Sequence, residues 1–250
     1  MIRSPNAAAL LFEENEISYL DMNGQANQLA RVLLRKGLTR GDFVGLGLQR
    51  SPAVIIAILA ILKAGAVYVP LDPTMPKDRL RFMLSDSKAR FVLISARNRE
   101  LFAGETEVLD LEEIQEDCAG ESKENLNLAL SGDDLCYMIY TSGSTGQPKG
   151  ALNFHSGVTN HFLWMQKAYA LDASDCTIFK TALSFDASLL EIFLPLQSGC
   201  RIVIAKNAKE DDPRSLLSEM QRHGVTFMSF LPSLFHQFLE GIEKRPDSSL

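Results

Sequence analysis

Short β-favouring runs alternate with helical stretches along most of the chain, and no other feature narrows its possible folds as far. Ala26, Leu29, Ala30, Leu33 and Leu34 recur at helical spacing, and Gly37 follows as a stop. Residues 43–48 read as a strand. Ser51 and Pro52 then open a helix, Ser as the cap and Pro in a first turn that does not need its N–H; it runs to about Ala64, before Gly65. A strand over 67–69, a helix over 76–85 and a strand at Phe91–Ile94 follow. Periodicity fades across 118–132, a polar connector. A second series then begins, with strand 135–140, helix His155–Tyr169, strand 177–181, helix 187–196 and strand Arg201–Ile204. Asp212 and Pro213 open a further helix that ends at His223 and Gly224, before a strand over 227–230. This order predicts an α/β fold, with mainly parallel sheets covered by helices on both faces. Two such series predict two packed subdomains, 1–132 and 133–250.

Composition excludes several function classes. The 250 residues carry 25 Lys and Arg against 31 Asp and Glu, a formal charge of −6, with no basic cluster to suit a nucleic acid. The longest apolar run, residues 53–62, is far short of the ~20 residues that span a bilayer, so no membrane partner is expected. Cys118, Cys136, Cys176 and Cys200 stand far apart with no C-x-x-C pair. They predict free thiols in a reducing compartment, hence the cytoplasm, and no zinc site or other resident metal.

The segment with most chemical content is Tyr140-Thr-Ser-Gly-Ser-Thr-Gly-Gln-Pro-Lys-Gly150. Its glycines let backbone N–H groups approach an anion. Thr141, Ser142, Ser144 and Thr145 add hydroxyls, and Lys149 adds a positive charge, together a cradle for phosphate oxygens. It is not the common P-loop: Pro148 stands where the second glycine belongs, and Gly150 replaces the hydroxyl residue after the lysine.

This loop resembles the signature of the adenylate-forming, AMP-binding enzymes: acyl-CoA synthetases, luciferases and the adenylation domains of nonribosomal peptide synthetases. Ile17-Ser-Tyr-Leu20 with Asn27-Gln-Leu-Ala30, the stretch Leu62-Lys-Ala-Gly-Ala-Val-Tyr-Val-Pro-Leu-Asp-Pro73, and Phe185-Asp-Ala-Ser-Leu-Leu-Glu-Ile-Phe193 resemble further motifs of that family, in order. The second has the form typical of peptide-synthetase adenylation domains, whose N-terminal part the chain resembles. The resemblance implies that an amino acid is adenylated by ATP with Mg2+ as counter-charge. The acyl group then passes to the phosphopantetheine thiol of a carrier protein within a larger synthetase. It further implies that Thr141 and Ser142 contact the nucleotide phosphates. Gly143, Ser144, Thr145, Gly146 and Lys149 would close over the outer ones, with Lys149 the catalytic cation.

Asp186 has two readings. Locally it is a favoured N-cap for the helix that follows. The resemblance instead implies that its carboxylate pairs with the substrate α-ammonium, with Ala187, Leu190 and Ser229 lining the side-chain pocket. Phe185 resembles the aromatic that gates thiol access, against a reading as core packing. His155 and His161 could face a site, His223 suits a helix C-terminus, and Glu191 reads as a structural partner. The family's later nucleotide motifs and its C-terminal lysine have no counterpart before Leu250. The resemblance therefore implies part of a larger polypeptide, and that residues 1–250 alone do not catalyse adenylation. An acyl-CoA ligase and a non-catalytic nucleotide-binding module are the alternatives.

Overall fold

The computed structural model of the chain describes residues 4–104, 106–142, 147–205 and 213–243. Strands β1 (Ala8–Phe12) and β2 (Asn15–Ser18) form a hairpin leading into helix α1 (Tyr19–Arg35). Strand β3 (Phe43–Gly47), helix α2 (Pro52–Lys63), strand β4 (Val67–Pro70), helix α3 (Lys77–Ser87) and strand β5 (Phe91–Ile94) then alternate. Helix α4 (Arg99–Phe102), strand β6 (Glu107–Asp110) and helix α5 (Gln115–Ala119) precede the connector. Beyond it come β7 (Leu135–Thr141), β8 (Lys149–Phe154), α6 (His155–Tyr169), β9 (Cys176–Phe179), α7 (Ala187–Ser198), β10 (Arg201–Ile204), α8 (Pro213–His223) and α9 (Pro232–Glu243).

The strands form two sheets, ordered β2-β1-β10-β9 and β6-β5-β3-β4-β7-β8. The hairpins β1–β2 and β7–β8 are antiparallel and the other pairings parallel, so the expected mainly parallel α/β fold is what forms. Each sheet draws on both sides of residue 132: β1 pairs with β10 and β4 with β7. The sheets thus do not divide where the two sequence series meet.

One continuous core joins the inner faces of both sheets through α1, α2, α6 and α7. Such a position demands a helix that is apolar nearly all round, and α2 supplies it with Val54, Ile55, Ile56, Ile58, Ile61 and Leu62 buried. Behind the six-stranded sheet, Leu80, Met83 and Leu84 of α3 and Phe102 of α4 cover Val92, Ile94, Met138 and Tyr140. Leu216 of α8 packs on the outer face of the smaller sheet. The four cysteines are free, as expected; Cys118 is half-buried and the other three are buried.

Several local expectations are corrected. Helix α1 starts at Tyr19, well before the run at Ala26, because Ser18 caps it: the Asp21 N–H donates to Ser18 Oγ (3.0 Å), which donates to Asp21 Oδ2 (2.6 Å). Ser51 makes no cap bond, and its hydroxyl donates instead to the Gln49 carbonyl (3.2 Å). Residues 227–230 form no strand. Phe227 alone bridges to Thr177, and Phe230 turns away to pack on Phe235 and Phe238. The Asp212 cap lies outside the described residues. The polar connector is pinned rather than loose: Asn27 Nδ2 donates to the Lys123 carbonyl (2.7 Å), Gln28 Nε2 to that of Glu121 (2.9 Å) and Arg31 to that of Glu124 (3.0 Å). The polar residues of the first motif are therefore used to dock this segment.

Candidate functional site

The described ends of the phosphate-cradle segment belong to the β7–β8 hairpin, Thr141 closing β7 and Lys149 opening β8. Its flanks are zipped in register, Thr141 opposite Lys149, Tyr140 opposite Gly150 and Tyr137 opposite Asn153. Tyr140 fixes the base, its hydroxyl donating to Asp86 Oδ2 at 2.7 Å with the Met83 carbonyl at 3.2 Å. Burial first, then the Asp86 carboxylate, push this phenol up, so it stays a donor. Thr141, Ser142 and Lys149 are exposed, and Thr141 Oγ1 reaches the Lys149 carbonyl only at 3.4 Å. Gly143, Ser144, Thr145 and Gly146 lie outside the described residues.

Gly150, read from sequence as part of the anion cradle, has a packing reason of its own. A Cβ there would lie 2.4 Å from Met138 Sδ and 2.9 Å from its Cγ, and Met138 is buried behind the sheet. Gly150→Ala is expected to destabilise the protein by about 1–3 kcal/mol, the usual cost of overpacking. Urea denaturation checks this through a lower midpoint at unchanged slope; an unmoved midpoint would mean that Met138 steps aside.

Below the turn lies a cavity of about 350 Å3 between the hairpin, α6 and α7. Tyr137 and Asn153 line it from the hairpin, Phe162 and Met165 from α6, and Ala187 and Leu190 from α7. Side chains alternate across a strand, so Thr141 and Lys149 share the sheet face of Tyr137 and Asn153. Four residue steps along the strand separate Tyr137 from Thr141, roughly 13 Å. Cavity and turn are thus two ends of one surface.

Asp186 lines this cavity at its exposed rim. Its backbone is helical (φ −61°, ψ −25°) and its side chain makes no cap hydrogen bond, so the N-cap reading is not what the structure shows. The carboxylate does act on the cavity: after burial it is the largest influence raising the Tyr137 phenol. Phe185 is 58% exposed beside it and takes no part in the core that the described residues form. Of the other residues expected on the pocket, Ala187 and Leu190 are there, whereas Ser229 is off the wall and donates to Glu191 Oε1 at 3.4 Å. His161 lines the cavity and His155 does not; burial lowers the His155 imidazole, partly opposed by Asp134.

Sequence reading missed Tyr137, Asn153, Phe162 and Met165 as cavity residues. Their convergence depends on strand register and on α6 packing against α7, which no local spacing encodes. Among the described residues, no group of three or more His, Cys, Asp and Glu side chains is placed to hold a metal ion. No helix among them is long and apolar enough to cross a membrane.

A family model described as AMP-binding enzyme matches residues 2–249. The chain is 39% identical over 232 residues to tyrocidine synthase 3 of Brevibacillus parabrevis, covering 93% of itself and 4% of that protein. The nonribosomal peptide synthetase FmoA3, solved in an AMPPNP-bound form, superposes with a TM-score of 0.90 at 28% identity, over 98% of this chain and 26% of that one. The N-terminal subdomain of NpsA from Klebsiella oxytoca, solved with 3-hydroxybenzoyl-AMSN, gives 0.86 at 31% identity, over 95% and 59%. The chain thus spans only a small part of its curated relative and less than two thirds of each of these solved chains.

Proposed function

The chain belongs to the AMP-binding enzyme family, and we propose that it serves there as the N-terminal part of a peptide-synthetase adenylation domain that activates an amino acid. The observation that carries this reading is Asp186: a carboxylate with no cap bond, at the rim of a largely apolar cavity, on the surface that leads to the exposed hydroxyls and cation of the turn. A carboxylate so placed suits a substrate ammonium, which needs a charged, hydrogen-bonding partner once desolvated.

In the proposed reaction a carboxylate oxygen of the amino acid bonds to the α-phosphorus of ATP. The α–β phosphoanhydride bond breaks, leaving aminoacyl-adenylate and pyrophosphate. Thr141 and Ser142 hold phosphate oxygens from the end of β7, while Lys149, the proposed catalytic cation, balances the charge gathering on the departing pyrophosphate. Asp186 anchors the ammonium so that the substrate carboxylate meets the α-phosphorus, and most of the rate gain then comes from positioning. Mg2+ bound to the nucleotide would supply counter-charge on its phosphates; the described residues offer it no cluster of ligands of their own. Phe185, exposed beside Asp186, borders the route by which a carrier-protein phosphopantetheine thiol takes the acyl group. Free cysteines fit a cytoplasmic setting.

The test is amino-acid-dependent exchange of labelled pyrophosphate into ATP by the larger synthetase that carries this chain, since residues 1–250 alone are not expected to adenylate, with a panel of amino acids and their des-amino analogues. Exchange with an amino acid but not its analogue is expected. Equal exchange with both would point to an acyl-CoA ligase, and ATP binding without exchange to a non-catalytic module.

A further inference from the structure

We infer that Glu191 is a positioning residue that shapes the β9–α7 connection so that Asp186 faces the cavity; this rests on the amino-acid reading of the site. Glu191 is 4% exposed, on the inward side of α7. Its Oε2 accepts the backbone N–H groups of Lys180 (2.9 Å) and Thr181 (2.8 Å). Its Oε1 accepts the Thr181 hydroxyl (2.8 Å) and that of Ser229 (3.4 Å), with the Lys180 ammonium at 3.3 Å. One carboxylate thus gathers two backbone donors, two hydroxyls and a cation from two separate segments of chain.

The position of these donors matters more than their number. Lys180 and Thr181 are the first residues after β9, and Asp186 is the last before α7, so Glu191 ties the start of the connection to the helix that ends it. The far end is tied locally: the Phe185 N–H donates to the Ala182 carbonyl (3.0 Å), and Ser188 Oγ donates to the Phe185 carbonyl (2.7 Å). Arg50 donates to the Lys180 carbonyl, joining the same point to the loop before α2. With both ends fixed, the Asp186 side chain is committed to the cavity rim rather than to the helix N-terminus.

A glutamine at 191 would keep the shape but could satisfy only part of this set. With its amide nitrogen toward the two backbone N–H groups, donors oppose donors; turned the other way, it leaves the Lys180 ammonium without a counter-charge. Glu191→Gln should therefore raise the KM for the amino acid by roughly tenfold or more, as expected of a small misplacement at a reacting site, while the KM for ATP stays put. Thr181→Val, which removes one hydroxyl contact and spares both backbone bonds, should move the amino-acid KM the same way by a smaller factor. The measurement is pyrophosphate exchange by the larger synthetase that carries this chain, wild type and both variants, with thermal melting alongside. A lower melting temperature and a lower kcat with the amino-acid KM unmoved in both variants would overturn the assignment and leave Glu191 as a fold anchor. If Glu191→Gln fails to fold, Thr181→Val decides on the same criterion. A wild type that exchanges with no amino acid overturns the functional reading and this inference together, whereas active wild type with unshifted variants overturns this inference alone.

Discussion

In the larger synthetase that carries this chain, Asp186→Ala should leave the protein folded and its ATP affinity intact while removing most of its amino-acid activation. The stability half follows from the missing cap: an exposed side chain that makes no helix N-cap bond is expected to cost within about 0.5 kcal/mol when truncated. The activity half turns on which of two magnitudes applies. An ion pair left open to water contributes about 0–1 kcal/mol, and its loss would barely register. A charge pair covered by the bound substrate costs about 2–5 kcal/mol to break, a fall in kcat/KM of roughly 30-fold to a few thousand-fold. Ala187, Leu189 and Leu190 line the cavity on the helix that Asp186 precedes, with Phe162 and Met165 opposite, so a seated amino acid shields the pair and the larger range applies. Kinetics for the amino acid and for ATP, with a melting curve, separate the outcomes. Normal amino-acid kinetics in a destabilised variant would restore the N-cap role and remove the ammonium partner.

How legible all this was in the sequence depended on whether the signal was local. Helix α6 and strands β5 and β10 are bounded as expected; the two strands are short apolar runs (after Arg201 in β10), a signal carried by neighbouring residues alone. Helix α1 was foreshortened because Asn23, Gly24 and Gln25 dilute its first turns, although Ser18 and Asp21 carried the cap signal. Nothing in the local sequence marks strand β8. Lys149–Phe154 looks like the tail of a loop and is largely exposed; its strand geometry comes from pairing with β7. Residues 227–230 erred the other way, since an apolar run was read as strand where Phe230 is instead drawn into an aromatic cluster.

The site divides along the same line. The turn and Asp186 stood out because their residue types are unusual for their local context. The reason for Gly150 lies in Met138 across the hairpin, and the partners of Glu191 lie about ten residues before it and at Ser229. Register and tertiary packing create those relations, so a linear reading assigns Gly150 to the anion cradle and leaves Glu191 without partners.

Replacing Thr141 and Ser142 together with alanine should raise the KM for ATP strongly while leaving the amino-acid KM nearly unchanged. Both residues are exposed at the end of β7, so neither supports the core. The weak bond from Thr141 Oγ1 to the Lys149 carbonyl, at 3.4 Å, is secondary to the backbone ladder that alanine preserves. Each hydroxyl bonded to a charged phosphate oxygen is worth roughly 1.5–3 kcal/mol. Adjacent residues on one ligand do not add simply, so the firm expectation is the smaller of the single effects, at least about tenfold in ATP affinity. Folding damage would look different. A loss of even 1 kcal/mol in a chain of this size lowers the melting temperature by about 2–4 °C and reduces activity toward both substrates alike. The selective effect on ATP is therefore the signature, read from KM values for each substrate in a variant whose melting curve matches the wild type. Unchanged ATP kinetics in that folded double variant would show that the exposed hydroxyls at the end of β7 do not touch the nucleotide, and the phosphate site would have to be sought elsewhere on the surface.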